Sequence, residues 1–231
     1  MLVSLSARLE ALLALVEPCT VLADVGTDHG LIPVAAVQRG VAERAIAADL
    51  RALPLEVARR NVAMAGEQDR VLVVQGDGLL PLHELAIDAV VMAGVSGELM
   101  VRVLDAAPRV LSRLSQLVLQ PNQDVHVVRA WARAHGFHLR DERMVEERGY
   151  FFPMCAFSRA QGADPLYQRA PFDAEELCVI GPLLLARKDA TALRASEEQR
   201  ARLAKLVSQG VVARADELAF WQRACAALGP D

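Results

Sequence analysis

The stretch Val21-Leu22-Ala23-Asp24-Val25-Gly26-Thr27-Asp28-His29-Gly30-Leu31-Ile32-Pro33 constrains this chain more than any other. Residues with a strong β bias run into an acid, a spaced glycine pair and a fresh apolar stretch, which reads as strand, tight turn and helix start. Open α/β sheets bind ligands beyond the carboxyl ends of their strands, so this turn marks a nucleotide-type site. Gly26 leaves room for a ligand against the backbone, and Gly30 lets the next helix pack close to the strand it has left. A dinucleotide turn meets a pyrophosphate with helix-terminal amides. Here Asp24 precedes the first glycine and Asp28 follows it. Two carboxylates repel a pyrophosphate and suit a ligand with an ammonium group and ribose hydroxyls, and S-adenosylmethionine has both. An ordinary glycine-containing βα turn is the plain alternative for this stretch alone.

The 231 residues, 53% of them hydrophobic and 23% charged, suffice for one α/β domain plus a smaller unit and exclude a disordered chain. No apolar run reaches the roughly 18 residues of a membrane span. At the amino terminus Leu2, Leu5, Leu9, Leu12, Leu13 and Val16 recur at helical spacing with Arg8 and Glu10 among them. That pattern predicts an amphipathic helix packed on the domain rather than a signal peptide, and hence a cytoplasmic protein. Cys19, Cys155, Cys178 and Cys225 are scattered without ligand spacing, so reduced thiols and no metal site are expected.

Downstream of the turn, the pattern predicts a helix over 31–38 and a second strand over 43–50 containing Asp49, the acid that in doubly wound sheets accepts from ribose hydroxyls. A helix over 54–65 ends at Gly66, and a third strand over 70–75 runs into Gly76-Asp77-Gly78, which suits an adenine amine or a tight surface turn. Strands over 87–93 and 116–119 deliver Gly94-Val95-Ser96-Gly97, with a helix over 98–107, and Gln120-Pro121-Asn122. Two last strands, near 137–144 and 150–158, have no helix between them and predict an antiparallel edge. The expected fold class is therefore α/β, a Rossmann-like seven-stranded sheet of the class I methyltransferase type. Domain boundaries follow as 1–160 for the cofactor-binding domain, 161–188 for linker and helix, and 189–231 for a coiled-coil-like helical hairpin turning at Gly210. Of the 25 basic and 29 acidic residues, eight and six fall in 187–231, so a slightly basic appendage sits on a domain of net charge −6. RNA docking and a solvated coiled coil both fit that balance.

Asp24-Val-Gly-Thr-Asp28-His29-Gly-Leu-Ile-Pro33, Gln75-Gly-Asp-Gly78, Ala93-Gly94, Leu119-Gln120-Pro121-Asn122, Gly181-Pro182-Leu183-Leu184 and the terminal helical pair together resemble the bacterial tRNA adenine-N1 methyltransferases that modify adenine 22, the TrmK-like family. The resemblance covers essentially the whole chain. It implies an S-adenosyl-L-methionine-dependent enzyme whose carboxy-terminal domain assists tRNA binding. Carried over position by position, Asp24, Gly26, Asp49, Leu50, Gly76, Asp77, Gly78, Ala93 and Gly94 would hold the cofactor. Asp28 and His29, with Gln120-Pro121-Asn122, would face the base, making Asp28, His29 and Asn122 the candidate catalytic residues. Where the family reads A-G-M-G-G, this chain has Ala93-Gly94-Val95-Ser96-Gly97.

Adenine N1 carries an in-plane lone pair, so positioning does much of the work, and a carboxylate such as Asp28 stabilises the cationic product. The tetrapeptide typical of N6-amino methylation is absent, which favours an N1 product. A small-molecule methyltransferase on the same fold is one alternative. A non-catalytic RNA-binding protein with a vestigial cofactor site is another.

Overall fold

A computed structural model describes residues 2–168 and 170–230. Its seven strands are β1 (Cys19–Val25), β2 (Ala42–Asp49), β3 (Val71–Gln75), β4 (Ala89–Ala93), β5 (Gln116–Gln120), β6 (Phe137–Glu147) and β7 (Tyr150–Arg159). They form one sheet in the order β3-β2-β1-β4-β5-β7-β6. All pairings are parallel except those of β7, which runs antiparallel to both β5 and β6. The central strands are apolar on both faces because helices cover both. Ala23, Ile46, Val90 and Leu117 point into one core layer, and Leu22, Ala45, Val91 and Val118 into the other. β6 and β7 are joined by a two-residue turn, Arg148-Gly149, with both residues at positive φ (54° and 77°). That twist matches a hairpin, so no helix intervenes and the edge is antiparallel.

One face is covered by α1 (Ala7–Leu13), α2 (Leu31–Gln38) and α3 (Ala52–Ala65). The other carries α4 (Gly97–Asp105), α5 (Pro108–Leu111), α6 (Val125–Ala134), α7 (Ala174–Ile180) and α8 (Pro182–Ala186). The hairpin arms α9 (Ala190–Ser208) and α10 (Ala215–Leu228) follow. Boundaries differ from the sequence pattern in places. The amino-terminal helix is only seven residues, starting after the Ser6 cap. The helix expected over 98–107 ends at Asp105, because Pro108 lacks the N–H to continue it and starts α5 instead. A short 3-10 turn over Val212–Arg214 takes up the start of the second hairpin arm.

The interruption at Gly181-Pro182 is held from beneath. Arg129 of α6 and Glu142 of β6, 0% and 1% exposed, form an ion pair through Nη2 and Oε2 at 2.8 Å. Arg129 Nη1 also donates to the Cys178 and Val179 carbonyls at 2.7 and 3.2 Å, while Glu142 Oε1 accepts from the backbone N–H groups of Leu183 and Leu184 at 2.6 and 3.0 Å. Pro182 has no N–H for the Cys178 carbonyl, so the guanidinium replaces the missing helix bond. A Cβ on Gly181 would lie 2.7 Å from Arg129 Nη2, which leaves that position to glycine. The base of the hairpin joins the same core, since Ala192, Ala224 and Leu228 are buried in one cluster with Leu184 and the sheet.

Candidate active site

At the carboxyl end of β1 the chain turns through Gly26 (φ 78°), whose N–H donates to the Ala48 carbonyl at 2.8 Å and thereby ties the turn to β2. A cleft of about 490 Å³ opens there, lined in part by Asp24, Gly26, Thr27, Asp28, His29, Ala93 and Gly94. Gly26 and Gly94 both have positive φ, and a Cβ on either would meet no atom within 4 Å. Their Cα faces are therefore open to whatever lies in the cleft. Gly30 serves differently from the expectation. The neighbour it admits is Ala58 of α3, 3.0 Å from where its Cβ would be, rather than the strand just left.

Asp24 is 5% exposed and accepts a hydrogen bond from Thr27 Oγ1 at 2.7 Å. Burial pushes its carboxyl up to about 7; the Thr27 bond pulls the other way, and the negative charges of Asp49 and Asp28 add to the rise. Asp49, also 5% exposed, ends β2, and its Oδ1 accepts from the Arg51 backbone N–H and Nε at 2.9 and 3.3 Å. Asp24 lines the cleft, and Asp49 ends the neighbouring strand outside that lining, near enough for its charge to act on the Asp24 carboxyl. Asp28 adopts a left-handed φ of 53°, which short acidic residues tolerate better than most. Its Oδ2 lies 3.6 Å from His29 Nδ1, with both side chains more than half exposed at the cleft mouth.

Ala93-Gly94 borders the cleft from the β4 side, and Val95 continues the lining. Ser96 accounts for the departure from A-G-M-G-G. It sits at φ −73°, ψ 153°, open to any residue, and its hydroxyl caps α4 by accepting from the Leu99 N–H at 3.2 Å. Gly97 is the residue that must stay small, because a Cβ there would fall 2.3 Å from the Asp124 carbonyl oxygen. Asn122 lies beside the cleft and donates from Nδ2 to the Gly94 carbonyl at 2.7 Å.

The remaining expected residues are spread more widely. Asp77 and Gly78 line a separate recess of about 270 Å³, with Leu80 and with Leu99, Arg102 and Val103 of α4. Gly76 closes against Pro81 and binds the Asp49 carbonyl through its N–H. Leu50 is 60% exposed, and its carbonyl accepts from Gln75 Nε2. Sequence reasoning missed Arg8, Thr27 and Arg51, all of which line the main cleft. Thr27, three residues after a strand-ending acid, was the one with a local signal. Among the described residues no group of three or more His, Cys, Asp or Glu gathers as a metal site, and no helix is long and apolar enough to cross a membrane.

A family model described as methyltransferase domain matches residues 5–155. A tRNA (adenine(22)-N(1))-methyltransferase of Bacillus subtilis is 32% identical over 190 residues, spanning 82% of this chain and 79% of that one. Streptococcus pneumoniae Sp1610, solved in complex with S-adenosyl-L-methionine, superposes with a TM-score of 0.86 at 25% identity, covering 96% of this chain and 100% of the other. The crystal structure of the B. subtilis M1A22 tRNA methyltransferase TrmK superposes with a TM-score of 0.85 at 26% identity, covering 96% and 99%.

Proposed function

Since this chain belongs to the methyltransferase-domain family and, within it, to the tRNA (adenine(22)-N(1))-methyltransferases, we propose that it uses S-adenosyl-L-methionine to methylate N1 of an adenine in tRNA, at position 22. The observation that carries the reading is the pairing of buried Asp24 and Asp49 at neighbouring strand ends with the open faces of Gly26 and Gly94. Those residues fit the cofactor. An ammonium group finds Asp24, ribose hydroxyls find Asp49, and the glycines let the ligand lie against the backbone. Leu50, Gly76 and the recess of Asp77 and Gly78 with its Leu99 and Val103 walls are proposed for the adenine ring. When bound, the cofactor supplies a methyl group made electrophilic by a sulfonium sulfur.

The chain's own contribution is position and charge. Adenine N1 needs no base to become a nucleophile, so holding it in line is worth more than proton transfer. Methylation leaves the base cationic, and Asp28 at the mouth is the carboxylate proposed to offset that charge as it develops. His29, next to it, is proposed to hydrogen-bond and orient Asp28.

Asp24 makes the cofactor step pH-dependent. An acid whose pKa is raised to about 7 keeps its proton below that pH, and only the ionised form attracts an ammonium group. Affinity for S-adenosylmethionine is therefore expected to rise roughly fivefold between pH 6 and pH 7, and Asp24→Asn to flatten the profile, as read by calorimetry. In the free protein the sign is opposite. The folded state holds a proton that the unfolded chain releases near 3.8, so Asp24 lowers stability as pH rises from there through about 7.

The deciding experiment is nucleoside analysis of tRNA incubated with the protein and methyl-labelled cofactor, which is expected to yield labelled 1-methyladenosine. Label in a small metabolite alone, or tRNA binding with no methyl transfer, would replace this reading with one of its alternatives. The hairpin's part in docking tRNA is tested by charge rather than by truncation, because its base lies in the core. Arg202 and Lys205 are exposed on α9, and reversing both to glutamate should weaken tRNA binding and flatten its log–log salt dependence by about two counterions. An unchanged salt slope would remove this face from the tRNA interface.

A further inference from the structure

Arg8 belongs to none of the sequence motifs, yet it touches a strand end 112 residues away. It lines the main cleft, its guanidinium carbon lies 5.1 Å above the Phe152 ring, and its Nε is 3.5 Å from Glu147 Oε2. Its Nη1 donates to Gln120 Oε1 at 2.5 Å. Gln120 is fully buried and passes the contact on, donating from Nε2 to Asn122 Oδ1 at 3.1 Å. Asn122 Nδ2 then donates to the Gly94 carbonyl at 2.7 Å, while the Asn122 backbone N–H donates to the Val95 carbonyl at 2.8 Å.

The direction of this relay is determined at both ends. A guanidinium has donors only, and a backbone carbonyl can only accept. Two primary amides between them satisfy all three links in a single arrangement, with each oxygen toward Arg8 and each nitrogen toward Gly94. Turning either amide over sets donor against donor at one side and acceptor against acceptor at the other. For a buried glutamine that mismatch is costly, because no water makes up the lost bonds.

We infer that Arg8 is a positioning residue of the methyl-transfer site: acting through Gln120, it sets which face of the Asn122 amide is offered to the target base. The inference rests on the adenine N1 reading above. With the relay in place, Asn122 keeps one N–H and one Oδ1 lone pair uncommitted. Adenine carries its exocyclic N6–H donor beside N1, and guanine carries the O6 acceptor in the same position. An Oδ1 held to accept from N6–H grips adenine while leaving the N1 lone pair uncommitted, and it repels guanine. Without Arg8 the Gln120 amide can turn over and set its Oε1 against Asn122 Oδ1, which leaves the Gly94 bond as the one side-chain hold on Asn122 and lets an N–H swing toward N1, tying up the electrons that must attack.

The test compares Arg8→Ala, Arg8→Lys, Asn122→Ala and the double alanine variant with the wild-type enzyme. Arg8→Ala is expected to lower kcat at saturating tRNA between about ten- and a hundredfold, with cofactor affinity held within about twofold. Arg8→Lys, still a donor-only cation, should recover part of that loss. The double variant should be no slower than the slower single one, since both changes break one relay. Fully additive losses, an unchanged kcat, or a matching fall in cofactor affinity would overturn the inference. A second readout needs no catalysis: in the 1H–15N spectrum the Gln120 and Asn122 side-chain amides should both move in Arg8→Ala, and if neither moves there is no relay. A wild-type protein that forms no 1-methyladenosine would defeat the adenine reading, and the amide spectra would still decide whether Arg8 orients the pair.

Discussion

Arg129→Ala is expected to unfold about 3–5 kcal/mol more easily than the wild type in urea, because it strands Glu142 as a buried carboxylate without its counter-charge. The loss reaches further than one ion pair. The same guanidinium satisfies the Cys178 and Val179 carbonyls where Pro182 breaks the helix ladder, and Glu142 satisfies the N–H groups of Leu183 and Leu184 on the other side of the break. Buried ion pairs can often be exchanged for apolar residues at no cost. Here Arg129→Met with Glu142→Leu is expected to remain destabilised, since those backbone groups lose partners worth about 1–3 kcal/mol each when left unpaired. A double variant as stable as the wild type would show that the pair is dispensable and that packing alone attaches α7 and α8 to the sheet.

Asp49→Ala is expected to lower affinity for S-adenosylmethionine by about ten- to a hundredfold, from the roughly 1.5–3 kcal/mol that charge-assisted hydrogen bonds contribute. Arg51 already anchors the carboxylate through Oδ1, so the group is in place before a ligand arrives and little ordering cost offsets the gain. A coupled effect follows. Asp49 is one of the charges that raise the Asp24 carboxyl, so its removal should shift the pH dependence of cofactor binding to lower pH. Calorimetry over a pH series reads both effects in one experiment. Wild-type affinity together with an unmoved pH profile would take Asp49 out of the cofactor site.

Some features of this chain are written locally and need no tertiary information. The β1 turn is one, because strand bias, two acids and a glycine pair within thirteen residues leave few backbone paths. The break at Gly181-Pro182 is another, since a proline acts on neighbours a few residues away. The antiparallel edge was also legible, because two adjacent β patterns joined by Arg148-Gly149 leave no length for a crossover helix. What only the folded chain decided joins residues far apart in sequence. Arg8 looked like one polar position of an amphipathic helix until the sheet order carried Gln120 and Phe152 to it. The Gly181-Pro182-Leu183-Leu184 motif was visible, but its reason, a buried Arg129–Glu142 pair, comes from two other elements. Gly76-Asp77-Gly78 read as suited to an adenine amine or to a tight surface turn, and the recess that α4 builds beside Asp77 comes from the folded chain. Periodicity and turn chemistry act through backbone torsions within a few residues, so a sequence states them outright. Burial, pairing and the direction of a hydrogen-bond relay depend on which distant groups meet, and only the assembled sheet determines that.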